Sequence, residues 1–278
     1  NWLEHAHAYQ FLEAGLSYCD ENDLTTWHIY INGCHAQLLL REGKWDEAAA
    51  IAQNEVLAEH ATPMLRFPAV TALARVRVRR GDPDVAYLFE MLASYIQTGN
   101  EPPRFLLYAS ICAEQAWIAG VADEQLCDVI SQAARLAGET GDIWSTGELY
   151  FWGHQLAITG LSGFPVALPY QLMAAGHWAA AAAAWSELHC PYDRALALMS
   201  GDEDAQHEGL TCLDALGAKA IASRFRQLLR QQGARSVPRG PQLATRSNPS
   251  GLTRRQMAVL VLLADGLTNA DIGHRLFV

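Results

Sequence analysis

Several residue types in this 278-residue sequence could bind metal or phosphate, and their spacing decides which reading holds. A helix presents two ligands to one ion at i, i+3 or i, i+4. His5 and His7 are two apart and fall on different faces, while Cys34–His35 and His189–Cys190 are adjacent pairs. They read as ordinary buried or half-exposed residues, and no metal site is expected. Asp202, Glu203 and Asp204 form an acidic cluster that reads as a helix start, where carboxylates complement the helix dipole. Arg75, Arg77, Arg79 and Arg80 could form a phosphate patch. Just before Gly81 they read instead as the solvated, dipole-compatible end of a helix.

Nothing in the sequence assembles catalytic chemistry. It has no G-x-x-x-x-G-K-[ST] loop, and "EGK" at Glu42–Lys44 is a turn without the earlier glycine. It also lacks a nucleophile elbow, a zinc-hydrolase motif and a Gly-rich cofactor loop. The chain is therefore expected to be no enzyme, with no catalytic residue and no bound cofactor. Its six cysteines are scattered without a C-x-x-C pair and read as small core residues in a reducing compartment.

Composition bounds the class. Half of the residues are hydrophobic and 18% are charged, and no apolar run is long enough for a membrane span, as in a globular protein. The first residue is Asn and no basic-then-apolar leader follows, so the sequence reads as a piece of a longer protein or a processed one. The net charge of −10 hides a division. From Lys219 onward one Lys and nine Arg stand against Asp265 and Asp271, a balance of +8, whereas residues 1–218 carry −18. An acidic body with a basic tail is the asymmetry expected when only the tail meets nucleic acid.

The elements that carry these residues repeat. Gly43, Gly81, Gly120, Gly160 and Gly201 recur at intervals of 38, 39, 40 and 41 residues. Val85, Leu88, Phe89, Leu92 and Ile96 keep the spacing of one helix face, as do Leu126, Val129, Ile130 and Ala133, and Ile221, Phe225 and Leu228. A repeat of about 40 residues with two helices each means stacked helical hairpins. "GKWDEAA" (Gly43–Ala49) returns in form as "GHWAAAA" (Gly176–Ala182), with a glycine for the left-handed helix end and alanines for close helix approach. The regular spacing is expected to break at "GLSGFPVALP" (Gly160–Pro169), with shorter helices after it. Helical stacks offer concave surfaces, so Tyr108, Trp117, Trp144, Tyr150 and Trp152 (with Phe151 among them) are candidate effector-pocket aromatics, although aromatics at helical spacing are usually core.

Residues Gly233–Gly251, rich in Pro, Gly and Ser, read as a flexible basic linker. Beyond it, Thr253 with Gln256 and Thr268 with Asp271 have the spacing of helix N-cap boxes. They predict a helix from Arg254 to Ala264, ended by Gly266, and a second from Asn269 to about Leu276. Val259, Leu260, Leu263, Ile272 and Leu276 must pack together. Two short helices cannot bury so many apolar groups alone and need a third element.

The tail, "GLTRRQMAVLVLLADGLTNADIGHRLFV", resembles the first half of a LuxR-type helix-turn-helix domain, approximately "LTxREREVLxLLAxGLSNxEIAxxLxxS". Leu252, Thr253, Arg255, Val259, Leu260, Leu262, Leu263, Ala264, Gly266, Leu267, Asn269, Ile272 and Leu276 fit that pattern. The stretch from "PYDRALALMSGD" through "LDALGAKAIASRFRQLLRQQG" resembles the segment before that domain in the large ATP-dependent, MalT-like members of the family, which look like signal-transducing ATPases. The turn G-x-W-x-E-A is similar to that of tetratricopeptide (TPR) repeats. Gln256 stands where the family usually has Glu, and Gly273 where Ala is usual, the latter costing up to about 1 kcal/mol in helix propensity.

The resemblance implies an all-α chain in three parts. Residues 1–232 form a TPR-like helical-hairpin solenoid that acts as sensor or scaffold, and 233–251 are the linker. Residues 252–278 are the N-terminal half of the helix-turn-helix domain, truncated before the recognition helix. Arg254, Arg255, Arg275 and the Thr268–Asn269 helix start are then DNA phosphate-contact candidates. With no element to read bases, the fragment is expected to bind no DNA sequence specifically. ATP belongs to an N-terminal module outside this sequence. Expected partners are promoter DNA and RNA polymerase for the full-length protein, an effector or protein on the repeat surface, and self-association. No membrane is involved, and the location is the bacterial cytoplasm, at the nucleoid when bound. The alternative is a stand-alone TPR-like interaction scaffold with no DNA-binding role.

Overall fold

The computed structural model describes residues 5–58, 61–98, 101–234, 237–238, 240, 254–264, 267 and 275. Every regular element among them is a helix, so the chain is all-α. It divides into two compact units, Asn1–Val237 and Pro238–Val278, and the division falls inside the Gly233–Gly251 stretch. In order, the first unit holds α1 (His5–Glu21), α2 (Thr25–Arg41), α3 (Trp45–Val56), α4 (Pro63–Arg80), α5 (Ala86–Thr98), α6 (Pro102–Ala119) and α7 (Glu124–Glu139). It continues with α8 (Ile143–Gln155), α9 (Leu168–Ala174), α10 (Trp178–Glu187), α11 (Pro191–Leu198), α12 (Glu203–Ala215) and α13 (Lys219–Gln231).

Local chemistry sets the ends of these helices. Proline opens α4, α6, α9 and α11, where its missing N–H costs nothing. Asp123, Asp142 and Asp202 cap α7, α8 and α12 by accepting backbone N–H groups. The acidic cluster at 202–204 therefore is a helix start. The two copies of the Gly-x-Trp turn have the same geometry. Gly43 and Gly176 sit at φ 81° and 76°, and Lys44 and His177 follow at φ −83° and −82°. The N–H of Lys44 reaches back to the Leu39 carbonyl and that of His177 to the Leu172 carbonyl, both at 2.9 Å. These are the six-to-one bonds of a Schellman helix end.

The helices α2, α4, α6 and α8 pack side by side, with α3, α5 and α7 joining their neighbours. Leu88 and Leu92 of α5, and Ile130 and Ala133 of α7, are fully buried, as the periodicity requires. Trp45 is buried at the start of α3, and its indole N–H donates to the Leu40 carbonyl at 2.9 Å. Truncating such a side chain to Ala costs about 3–5 kcal/mol. The regular spacing ends at the 156–167 segment, and the shorter α9, α10 and α11 follow. Gly160 lies in that segment rather than in a hairpin turn.

The last helix of this unit, α13, returns to pack against α4 and α6. A Cβ added at Gly43 would lie 2.6 Å from Leu216 Cδ2, one at Gly81 would lie 3.1 Å from Ala220 Cβ, and one at Gly120 would lie 3.1 Å from Arg224 Nη1. The three turn glycines thus meet residues 216, 220 and 224 in succession. All three need glycine for their positive φ, and at Gly43 the approach of Leu216 and Pro191 within 3 Å demands it a second time.

The second unit contains α14 (Arg254–Ala264), the span read from the sequence. The Leu267 N–H bonds the Leu262 carbonyl at 3.1 Å, the six-to-one bond again. Leu260, Val261 and Leu263 remain about half exposed. Both N-cap boxes and the helix expected from Asn269 to Leu276 lie outside the described residues, apart from Arg275, Gln256 and fragments of the flanks.

Candidate functional site

The inner faces of α2, α4, α6 and α8 carry the polar side chains that the fold brings together from afar. Here the reading of Arg75–Arg80 as a solvated helix end needs correction. Arg75 and Arg79 are buried because α4 packs against α2, α3, α5, α6 and α13 and the face that carries them is covered. They point, one turn apart, at carboxylates on α6 and α8. Arg77 and Arg80 stay partly exposed as expected, and Arg80 pairs with the exposed Asp46 at 2.7 Å.

Arg79 grips Glu114 with two hydrogen bonds, Nε at 2.7 Å and Nη2 at 3.2 Å. Tyr192 of α11 donates its hydroxyl to the same carboxylate. The Arg79 guanidinium also lies 3.7 Å from the Tyr192 ring centroid, and that ring packs 5.7 Å from Trp45. Arg75 pairs with Glu148 at 2.5 Å and donates to the Ser110 hydroxyl at 3.1 Å. Burial pushes the Glu148 carboxyl up, but Arg75 and Arg41 outweigh it and hold it down at about 2. For Arg79, burial disfavours the charge and Glu114 more than offsets that, so its guanidinium is raised. Asp193 goes the other way. Its burial outweighs Arg41 and Arg79, and its carboxyl is raised. A cavity of about 20 Å³ lies among Gln37, Arg41, Arg75, Tyr192 and Asp193, room for one water-sized group.

Gln37 and Leu107 separate this polar cluster from a far larger apolar cavity of about 520 Å³. Its walls are α1 (Ala8, Phe11, Leu12), α2 (Ile31, Cys34, Leu38), α6 (Pro103, Leu107) and the start of α8 (Asp142, Ser145). Burial pushes the Cys34 thiol up to about 11, with the Tyr30 hydroxyl pulling the other way, so the thiol is neutral. Asp142 Oδ1 accepts the N–H groups of Trp144 at 3.2 Å and Ser145 at 3.0 Å. Gln37 spans α2 and α4, donating to the Thr71 hydroxyl at 2.8 Å and the Pro68 carbonyl at 3.2 Å. The sequence reading did not find this cavity. Its lining comes from four helices, and each contributes apolar residues indistinguishable from core positions.

The aromatics selected from the sequence lie in separate places. Trp117 and Trp152 are core residues, 5.7 Å apart, with Phe225 4.7 Å from Trp117. Trp144 packs 6.1 Å from Trp185. Tyr150 lines a recess of about 230 Å³ beside Tyr170, and Tyr108 lines a groove of about 600 Å³ between α5, α6 and α7. None of the five borders the 520 Å³ cavity. In the tail, Arg254 and Arg255 open α14, and Arg275 is exposed. Thr268, Asn269 and the side chains of Arg254 and Arg255 lie outside the described residues.

Among the described residues no group of His, Cys, Asp and Glu could hold a metal ion, and no helix is long and apolar enough to cross a membrane. No family model matches the chain, and neither a curated protein nor a solved structure matches it.

Proposed function

We propose that this chain is part of a LuxR-type, ATP-dependent transcription regulator. Its helical body is a TPR-like sensor and its tail contributes to a helix-turn-helix that meets promoter DNA. The observation that carries this reading is the tail itself: a basic segment whose residues 252–276 fit the LuxR pattern. Two features support it. The helix α14 spans the residues that the pattern requires, and its leucines are left half exposed, as befits a helix that needs further elements to cover it. The repeated Gly-x-Trp turn and the paired helices support a hairpin-stack sensor.

In this reading the protein works in the cytoplasm at the nucleoid. ATP is bound by a module N-terminal to this sequence, and RNA polymerase is a partner. Fluorescence anisotropy of residues 1–278 with random and promoter-derived duplexes tests it. Binding that weakens steeply with salt and maps to the tail is expected, with no preference among sequences. No binding even at about 50 mM salt overturns the DNA role and favours an interaction scaffold.

A further inference from the structure

We infer that the 520 Å³ cavity between α1, α2, α6 and the start of α8 binds a small organic cation, an apolar body bearing one ammonium group. This gives the sensing role proposed above a ligand class. Binding itself does not depend on that role.

The volume suits a small molecule, since ligand sites commonly span about 300–1,000 Å³. Phe11, Leu12, Ile31, Leu38, Pro103 and Leu107 make the walls, so the ligand body is apolar. Phe11 is 79% exposed at the edge and gains burial from a ligand that covers it. The polar groups decide the head. Among the described residues Asp142 is the only carboxylate in the lining, and no Lys, Arg or His accompanies it. The other ionisable group, Cys34, is neutral because burial raises its thiol to about 11.

Gln37 and Asp142 still offer acceptors, and the Ser145 hydroxyl can turn to suit either partner. Gln37 has committed its amide N–H groups to Thr71 and Pro68, which leaves its carbonyl oxygen. Asp142 uses Oδ1 for the α8 cap, which leaves Oδ2. A head that faces these two acceptors, one of them a carboxylate oxygen, is matched by a donor, and an ammonium supplies three N–H groups and the matching charge. A carboxylate or phosphate head would meet like charge. The α8 N-terminus offsets part of the Asp142 charge, so the discrimination is moderate.

Isothermal titration of residues 1–278 with tryptamine, tryptophol and indole-3-propionate varies the head on one body. Tryptamine is expected to bind about fivefold more tightly than tryptophol, the worth of one partly exposed ion pair, with indole-3-propionate weakest. Asp142→Asn keeps the N-cap acceptor and brings the three within about twofold. On the unmutated chain, bound tryptamine slows alkylation of Cys34 by N-ethylmaleimide and leaves Cys127, on α7 and outside the lining, unchanged. Equal or tighter binding of indole-3-propionate overturns the proposal. So does the absence of saturable heat with any of the three, or binding that leaves Cys34 unprotected. Tryptamine binding without effect on DNA affinity leaves the site standing and removes the sensing role instead.

Discussion

Arg79 and Glu114, separated by 35 residues in sequence, form a two-pronged ion pair in which the carboxylate is fully buried. Taking two charges out of water is costly, and the pair survives because Tyr192 supplies a further hydrogen bond to the same carboxylate. Removing one partner leaves the other charge buried and alone. Glu114→Gln or Arg79→Met is expected to cost about 3–5 kcal/mol in urea unfolding, whereas Arg79→Met with Glu114→Leu recovers most of that loss. Additive losses in the double variant would show that the pair does not act as a unit.

Two carboxyls of the same network respond to acid in opposite directions. Glu148 is held at about 2 against an ordinary 4.5, so its stabilisation is complete above 4.5 and disappears as pH falls toward 2. A shift of this size corresponds to stabilisation on the order of 3 kcal/mol at neutral pH. Asp193 is raised, so its ionised form destabilises the fold at neutral pH and protonation relieves that. Glu148→Gln should lower stability at pH 7 and flatten the acid limb below about pH 4.5. Asp193→Asn should leave stability at pH 7 unchanged or raise it. The check is chemical denaturation at a series of pH values, and a loss with Asp193→Asn at pH 7 refutes the assignment.

The duplicated turn offers a matched comparison. Gly176 has φ 76° with nothing within 4 Å of an added Cβ, while Gly43 has φ 81° with Leu216 and Pro191 within 3 Å. Gly176→Ala therefore meets only the left-handed backbone cost, about 1–2 kcal/mol. Gly43→Ala carries the same cost plus displacement of α12 and α11, and its melting temperature should fall distinctly further. Equal losses would mean that the close approach costs nothing.

On the proposed DNA role, Arg255→Ala should weaken binding uniformly across duplex sequences and reduce the slope of log affinity against log salt by about 1. A loss confined to one sequence would point to base contact instead.

Much of the fold was legible because it is written locally. The faces of α5, α7 and α13 follow from periodicity, and the helix ends at Gly43, Gly81 and Gly120 follow from the residue that tolerates positive φ. Even α14 was bounded correctly from its flanks. The inner site was not legible. Arg75 and Arg79 resemble a solvated helix end until Glu114, Glu148 and Tyr192 arrive from 35 to 113 residues further on. Nothing near Arg75 in the chain announces Glu148. The large cavity failed for the same reason, since Phe11, Cys34, Leu107 and Asp142 meet only after four helices have packed.

Open hairpin arrays can gain or lose a unit, because each unit touches only its neighbours. Residues 216, 220 and 224 remove that freedom here. They engage the turns at Gly43, Gly81 and Gly120 together, so the first three hairpins are counted as well as stacked. Duplicating or deleting one of them would leave a tooth of this comb without its slot. The spacing of the first three turns is thereby matched to the 216–224 segment that closes α12 and opens α13, so a change in the length of one hairpin would be felt at all three contacts.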